Sequence, residues 1–196
     1  MRHRAGGSLS PRVYRGSGRD TDAAYGILGR LLRMRFGLVE NMDEQAIKAT
    51  VRDQVSKVVG DRKVGDVVYF LGQFLEIPFE ESPLTRAIAD DPVQGRLLRR
   101  AVVRSFIEAD AGHSALCLVF DDLHAAHKDS LDLLRYLLEY LTGPILIICS
   151  ARPELSSVVD DWARAGERRH TTLELSPLSD DDAAELMRSL LAPVAQ

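Results

Sequence analysis

The fold is decided by the stretch Leu116-Cys117-Leu118-Val119-Phe120-Asp121-Asp122, in which five apolar residues run directly into two acids. A strand that is apolar at consecutive positions is typical of parallel sheets with helices on either side. Ligands bind such sheets beyond the carboxyl ends of the strands, so Asp121 and Asp122 are predicted to face a site. Carboxylates placed there can hold a hydrated Mg²⁺ and orient an attacking water. The plain alternative is that the two acids cap a helix or lie in a solvated loop.

A second apolar run, Ile145-Leu146-Ile147-Ile148-Cys149, follows a leucine-rich helix that Asp129 or Ser130 is expected to cap and that ends near Gly143. Strand, helix and strand within about 35 residues predict a βαβ unit with two parallel strands and a right-handed crossover. A third short strand is predicted at 171–175. We therefore expect the α/β fold class with a parallel sheet.

Helical patterns fill most of the remaining chain. Apolar residues recur at three- to four-residue spacing between Asp22 and Phe36, and Gly37 offers a left-handed stop. Cap-plus-proline pairs before Pro83 and Pro92 predict two further helix starts. The predicted helices are, in chain order, about 22–36, 43–60, 66–75, one from Pro83, 92–110, 129–143, 153–165 and one after Ser179, where a capping box with Asp182 begins it. A helix-rich insertion thus precedes the strand at 116–120.

Charge and composition set the N-terminal part of the chain apart from the rest. Residues 1–35 hold eight Arg against two Asp, which is a net charge of +6. Because the whole chain has a net charge of −4, the remaining residues carry −10. Residues 1–20 are predicted to be a basic flexible segment with an edge strand at Arg12-Val13-Tyr14-Arg15. The basic segment could contact phosphate or nucleic acid, although a solvated tail is the favoured interpretation.

Several protein classes are excluded by composition. A chain of 196 residues with 45% apolar and 28% charged residues fits one folded domain. Cys117 and Cys149 lie inside apolar runs, which indicates buried thiols in a reducing compartment rather than a disulfide scaffold. No apolar stretch has the length of a signal peptide or of a membrane span, which needs about 20 residues. We therefore expect a cytoplasmic protein without a membrane partner.

Three blocks of this sequence together resemble a known family. Residues 118–124, 130–134 and 147–155 are similar, in order and spacing, to the Walker B to sensor-1 region of STAND-class ATPases. These AAA-like P-loop NTPases are regulatory, signal-transduction modules of bacterial transcription activators and large serine/threonine kinases. Residues 21–32 resemble the helix after the family's second strand, and residues 173–179 resemble the strand and turn before the lid. The resemblance implies a three-layer, partial P-loop NTPase-like core at residues 21–178 and the start of a helical lid at residues 179–196.

The resemblance also implies roles for individual residues and the cofactors ATP and Mg²⁺. Asp121 matches the metal-binding acid, and Asp122 matches the second, catalytic acid that activates water. Ser150 and Arg152 match the end of the strand that senses the γ-phosphate, where an Arg can bind two phosphate oxygens. For His124, which follows the acids, a structural hydrogen bond is at least as well supported as a catalytic role.

The phosphate-binding loop of this family is missing from the sequence. No G-x-x-x-x-G-K-[ST] occurs, and none of the four lysines follows Gly or precedes Ser or Thr. A triphosphate needs the backbone amides of such a loop together with its lysine. In the family the loop and its strand precede the part matched here, so we expect an incomplete core that lacks the first strand and Walker A. Strand edges left without a ladder partner would favour self-association.

Two functional hypotheses therefore remain open. The first is a fragment of an ATP-binding regulatory ATPase, which couples nucleotide state to an effector domain or partner protein; the fragment alone is expected to be inactive. The alternative is a degenerate, non-hydrolysing protein-interaction module of the same fold. A phospho-acceptor receiver domain is disfavoured, because its acid pair would follow the first strand. Direct nucleic-acid binding by this segment is not expected.

Overall fold

The computed structural model describes residues 10–20, 23–159, 162–166 and 169–191, and these form an α/β structure around a parallel sheet. The strands are β1 (Arg12–Ser17), β2 (Leu116–Asp121) and β3 (Ile145–Cys149), in the spatial order β1-β2-β3. The helices are α1 (Gly26–Phe36), α2 (Glu44–Ser56), α3 (Asp61–Leu75), α4 (Pro83–Ala87), α5 (Pro92–His113), α6 (Lys128–Tyr140), α7 (Leu155–Val158) and α8 (Asp180–Leu191). The predicted α/β class and parallel βαβ unit are confirmed, and the architecture is consistent with a Rossmann-like core.

The predicted edge strand is present as β1, two residues longer than expected. It pairs in parallel with β2, so that Tyr14 lies opposite Leu118 and Ser17 lies opposite Asp121. The chain then passes through α1 to α5 before it returns as β2. The helix-rich insertion therefore connects two neighbouring strands of the sheet.

The two faces of the sheet are covered differently. On one face the β2 side chains of Leu116, Leu118 and Phe120 are buried in the core cluster, which also contains residues of α1, α3, α5 and α6. On the other face, which we call the open face, Leu146 is 58% exposed and Ile148 is 47% exposed. The described residues thus form two layers rather than the expected three, because no described helix packs over the open face side chains.

Local sequence signals place most helix boundaries. Asp43, Ser82 and Asp91 accept hydrogen bonds from the first backbone N–H groups of α2, α4 and α5, with Pro83 and Pro92 at the first helical positions. Gly37 ends α1 with φ +66°, as predicted. For α6 the predicted cap, Asp129 or Ser130, is wrong. The N-cap residue is His127, whose Nδ1 accepts a hydrogen bond from the Asp129 N–H.

Three predicted elements differ from the structure. Helix α3 begins five residues earlier than expected, and the helix predicted for 153–165 is reduced to α7 and a 3-10 turn at Trp162–Arg164. Residues 171–175 form no strand, and Leu173 and Leu175 are 80% and 93% exposed. A strand is stabilised by its ladder partner, and these residues have none within the described chain. The last helix begins as predicted, since the Ser179 hydroxyl accepts the Asp182 N–H.

A buried carboxylate ties the first strand to the helices. Asp110 on α5 is 2% exposed and accepts two hydrogen bonds from the Arg35 guanidinium, at 2.7 Å from Nε and 2.6 Å from Nη2. Arg12 of β1 donates to the same carboxylate at 3.1 Å and to the Asp110 carbonyl at 2.7 Å. Arg35 also donates to Gln54 on α2, which joins four elements in one network.

Among the helices that the structure describes, none is both long enough and apolar enough to cross a bilayer. The predicted basic segment is described only from residue 10 onward, and the proposed start of a helical lid only to residue 191.

Candidate functional site

The carboxyl ends of all three strands meet at one edge of the sheet. Asp121 is the last residue of β2, Ser17 is the last residue of β1, and Ser150 directly follows β3. Because parallel strands end at the same edge, residues from three distant parts of the sequence come together here. The structure therefore brings Asp121, Asp122 and Ser150 into one cluster, as the sequence predicts.

Hydrogen bonds hold Asp121 and Ser150 together. The Ser150 hydroxyl donates to Oδ1 of Asp121, and the Asp122 N–H donates to the same oxygen at 3.1 Å. The backbone of Ser150 donates to the Phe120 carbonyl at 2.8 Å and accepts from the Leu123 N–H at 3.0 Å. These bonds fix Oδ1 and hold the ends of β2 and β3 against each other. The second oxygen, Oδ2, makes no protein hydrogen bond in the described structure and can take a metal ligand position.

Asp122 has an unusual backbone and a cationic partner. Its φ of +50° places it in the left-handed region, which Asp tolerates better than most residues. This turn carries the Asp122 carboxylate to Arg19, whose Nε lies 2.9 Å from Oδ2. The Asp122 side chain is 35% exposed, so solvent can reach the carboxylate beside its Arg19 partner.

His124 joins the turn after β2 to the segment after β3. Its Nδ1 accepts the Arg152 N–H at 3.3 Å, and its Nε2 lies 3.8 Å from Asp122. The imidazole is only 13% exposed, which fits a packing role better than a catalytic one. Arg152 is therefore positioned through its backbone, while its side chain is exposed at this edge.

The loop after β1 also belongs to the cluster, although its residues were not among the predicted site residues. The Gly18 N–H donates to the Asp121 carbonyl at 2.8 Å, and Asp20 accepts from the Ser17 N–H and pairs with Arg30 at 3.1 Å. Arg19, between them, supplies the cation beside Asp122. The same carboxyl-end rule, applied to the predicted edge strand at 12–15, would have indicated these residues.

Gly18 is required by space rather than by its backbone angle. A Cβ built at this position would lie 2.4 Å from the Asp122 carbonyl oxygen and 2.9 Å from the Ala126 nitrogen, both backbone atoms. We expect Gly18→Ala to push the β1 loop away from Asp122 and to lower the free energy of unfolding by about 1–3 kcal/mol. Urea denaturation measures this cost. Gly95→Ala in α5 is the matched control, because nothing lies within 4 Å of its added Cβ; equal losses in both variants would contradict the packing argument.

The cluster has residues that could supply some of the ligands of a magnesium ion, but not a complete set. Within the described residues there is no group of three or more His, Cys, Asp or Glu that could hold a metal ion. Mg²⁺ usually keeps several waters and takes only one or two carboxylates together with substrate phosphates. Asp121 with the neighbouring Ser150 hydroxyl meets that smaller requirement. If Mg²⁺ binds here, its remaining ligands must come from water and a phosphorylated substrate.

Comparisons with known proteins do not extend these observations. No protein-family model, no curated protein and no solved structure matches the chain.

Proposed function

We propose that this chain carries the metal-facing half of the nucleotide site of a regulatory, signal-transduction ATPase. The observation that supports the proposal is the meeting of Asp121, Asp122 and Ser150 at the carboxyl ends of adjacent parallel strands. This is the place where α/β sheets bind ligands, and it carries the residue types that MgATP chemistry uses. The resemblance to STAND-class ATPases assigns the same residues to the same chemistry.

Each residue has a role that its geometry allows. When bound, Mg²⁺ would neutralise charge on the β- and γ-phosphates, and Asp121 would hold the ion or one of its waters through Oδ2. Ser150 orients the Asp121 carboxylate by its hydrogen bond to Oδ1. Asp122 would accept a proton from the attacking water, and the Arg152 side chain would contact a terminal phosphate oxygen.

The exposed side chains of the open face support the proposal that a strand and a helix of the complete fold lie outside this chain. The connections β1 to β2 and β2 to β3 both run in the same lateral direction, and their helices pack on the covered face. Crossovers between parallel strands are right-handed, so a strand beside β3 that leads back to β1 must carry its helix across the other face. A strand, phosphate-binding loop and helix before β1 would therefore fill the outer edge of β3 and cover the open face.

The 196-residue chain by itself should bind MgATP more weakly than 1 mM and should not hydrolyse it. A phosphate-binding loop makes about five charge-assisted hydrogen bonds of roughly 1.5–3 kcal/mol each, whereas micromolar binding is worth only about 8 kcal/mol in total. Isothermal titration calorimetry with MgATP and a phosphate-release assay measure both properties. Micromolar affinity would contradict the proposed division of the site.

The coding DNA upstream of Met1 tests whether the phosphate-binding half of the nucleotide site is encoded before this chain. An in-frame strand followed by G-x-x-x-x-G-K-[ST] would support the regulatory ATPase, its cofactors ATP and Mg²⁺, and an attached effector domain. A stop codon directly upstream without such a motif would contradict it.

The second candidate is a degenerate protein-interaction module that no longer hydrolyses ATP. Two observations favour it: Arg19 already neutralises Asp122, and Ala125 and His127 replace the Trp and the acid that the family carries after its histidine. The two candidates differ in one measurement, since only the ATPase would turn over ATP when joined to a phosphate-binding loop. A cytoplasmic location, predicted from two free cysteines, is part of either proposal.

A further inference from the structure

The amino-terminal half of α5 has a basic and partly apolar side that lies outside the candidate site. Its members recur at three- to four-residue spacing and therefore share one side of the helix: Val93, Leu97, Arg100 and Arg104. Two turns after Arg100, on the same side, Ile107 is buried in the core. Val93 and Leu97 are instead 57% and 55% exposed. The core-facing side of α5 thus continues as an exposed surface in the described structure.

Helix α6 borders this surface. The Arg100 Cζ lies 5.9 Å from the centroid of the Tyr136 ring, and the Tyr136 and Tyr140 rings pack 4.9 Å apart. Glu108 of α5 accepts hydrogen bonds from the N–H and hydroxyl of Thr142, directly beyond α6. The two helices therefore run side by side in the same direction. We call the surface that they share the α5–α6 face; it consists of Val93, Arg96, Leu97, Arg100, Arg104, Tyr136 and Tyr140.

Arginine is the dominant charge of the α5–α6 face. Between residues 92 and 107, α5 contains four arginines and no acid. One of them, Arg99, donates to Gln73 of α3 at 2.6 Å and lies over the Tyr25 ring, so it belongs to the contact with α1 and α3. The other three arginines are those of the α5–α6 face.

Two acids adjoin the face and do not balance it. Glu108 is held by Thr142, and the Arg104 Nε lies 3.9 Å from Glu108 without a hydrogen-bond acceptor in the described structure. Asp132 lies one turn before Tyr136 on α6. Three arginines against two carboxylates leave an excess of positive charge beside exposed apolar side chains. A partner that matches this surface needs carboxylates and apolar groups together.

We propose that the α5–α6 face binds an acidic amphipathic helix of a partner protein. Arginine and tyrosine are the residue types that often contribute most of the binding energy at protein interfaces, and an amphipathic helix packs its apolar side against exposed apolar side chains. Leucines of the partner pack on Val93, Leu97 and Tyr140, and flanking carboxylates pair with Arg96 and Arg100. The inference does not rest on nucleotide binding, and residues 93–140 alone build the face.

The apolar side chains favour a protein partner over one that bears phosphates. Nucleic acid is bound mainly through its phosphates, and it would leave Val93 and Leu97 without a contact. An interfacial membrane helix needs a continuous apolar side that sinks into the lipid, whereas Arg96, Arg100 and Arg104 interrupt this side of α5 at every turn. An acidic amphipathic helix uses both the charge and the apolar surface.

The size of the face sets the expected affinity. From Val93 to Arg104 the helix is about 17 Å long, so one partner helix buries less than the roughly 1,200 Å² of a stable interface. We therefore expect a dissociation constant of about 10–100 µM.

Fluorescence anisotropy with a labelled synthetic peptide tests the proposal on the full chain. The probe is a peptide of about 20 residues that repeats Leu-Glu-Glu-Leu-Leu-Glu-Glu, and the matched control peptide has Lys in place of every Glu. We expect the Glu peptide to bind with a dissociation constant of about 100 µM or less, and the Lys peptide to bind at least tenfold more weakly. No binding of the Glu peptide up to about 1 mM would overturn the proposal.

Paired substitutions locate the binding surface. Arg96→Glu combined with Arg100→Glu should weaken binding of the Glu peptide at least tenfold and should create binding of the Lys peptide, which a misfolded chain would not gain. The control is Arg62→Glu combined with Lys63→Glu on α3, which makes the same change of charge at exposed residues and should leave binding unchanged. Equal losses in the two pairs would show that net charge, not this face, attracts the peptide.

Leu97→Ser keeps the charge of the face and removes an apolar contact. We expect it to weaken binding of the Glu peptide about fivefold, and unchanged binding would contradict the apolar part of the proposal. Duplex DNA and vesicles of phosphatidylserine are the remaining probes. Displacement of the Glu peptide by either of them at micromolar concentration would assign the face to phosphate-bearing ligands and overturn the proposal.

Discussion

Asp110→Asn is expected to lower the free energy of unfolding by about 3–5 kcal/mol, the usual cost of removing one partner from a buried ion pair. The amide cannot neutralise Arg35, whose side chain is only 12% exposed, or Arg12, which reaches the same carboxylate. Urea denaturation at pH 7 measures the loss. Asp53→Asn is the matched control, because its ion pair with Lys57 is 60–68% exposed and worth about 0.5 kcal/mol or less.

The same carboxylate predicts how stability depends on pH. Burial by itself would raise the pKa of Asp110, but hydrogen bonds and charge from Arg35 and Arg12 outweigh it and hold the pKa below its ordinary value. A folded-state pKa below the unfolded value of about 3.9 stabilises the protein above that value. This contribution is lost as the pH falls below about 4 through the folded pKa. The difference in unfolding free energy between wild type and Asp110→Asn should therefore shrink at low pH; a constant difference would show that packing, not charge, causes it.

Asp121→Ala is expected to reduce ATP turnover by at least about 100-fold when the chain is part of a parent protein that also contains the phosphate-binding loop. A loss of this size is typical when one preorganised electrostatic group is removed from an active site. Asp121 presents Oδ2 at the carboxyl edge while Ser150 and the Asp122 N–H fix Oδ1, so no neighbour can replace it at this position. Phosphate release at saturating MgATP measures the effect. Binding of ATP without Mg²⁺ should change much less.

Asp90→Ala, at an exposed residue between α4 and α5, is the control for general effects of lost charge. Turnover that survives Asp121→Ala would remove Asp121 from its proposed role. A parent that binds MgATP but is inactive before any substitution would instead favour the non-hydrolysing module.

Much of the fold could be predicted from short-range signals. The apolar runs at 116–120 and 145–149 locate two strands, and caps such as Asp91 with Pro92 locate helix starts to within one or two residues. Predictions failed where structure depends on distant partners. Residues 171–175 have the pattern of a strand but no ladder partner in the described chain, and the helix predicted from Pro153 ends after one turn.

The candidate site was predicted in part. The acids at 121 and 122 are recognisable because they end an apolar run, whereas Ser150, at the end of the next run, was indicated by the family resemblance. Arg19 was missed because the carboxyl-end rule was not applied to the predicted edge strand at 12–15, and its contact with Asp122, 103 positions away, depends on the pairing of β1 with β2. His124 could be noticed but not assigned, because its hydrogen bond to the Arg152 N–H depends on the spacing of β2 and β3.

The sequence by itself determined the α/β class, the parallel βαβ unit and the position of two acids at a strand end, because apolar periodicity and caps act over a few residues. Only the tertiary structure showed that Arg19 pairs with Asp122, that Asp110 gathers Arg12 and Arg35, and that one face of the sheet is open. Those features depend on strand order and helix packing, which bring together residues that no local pattern connects.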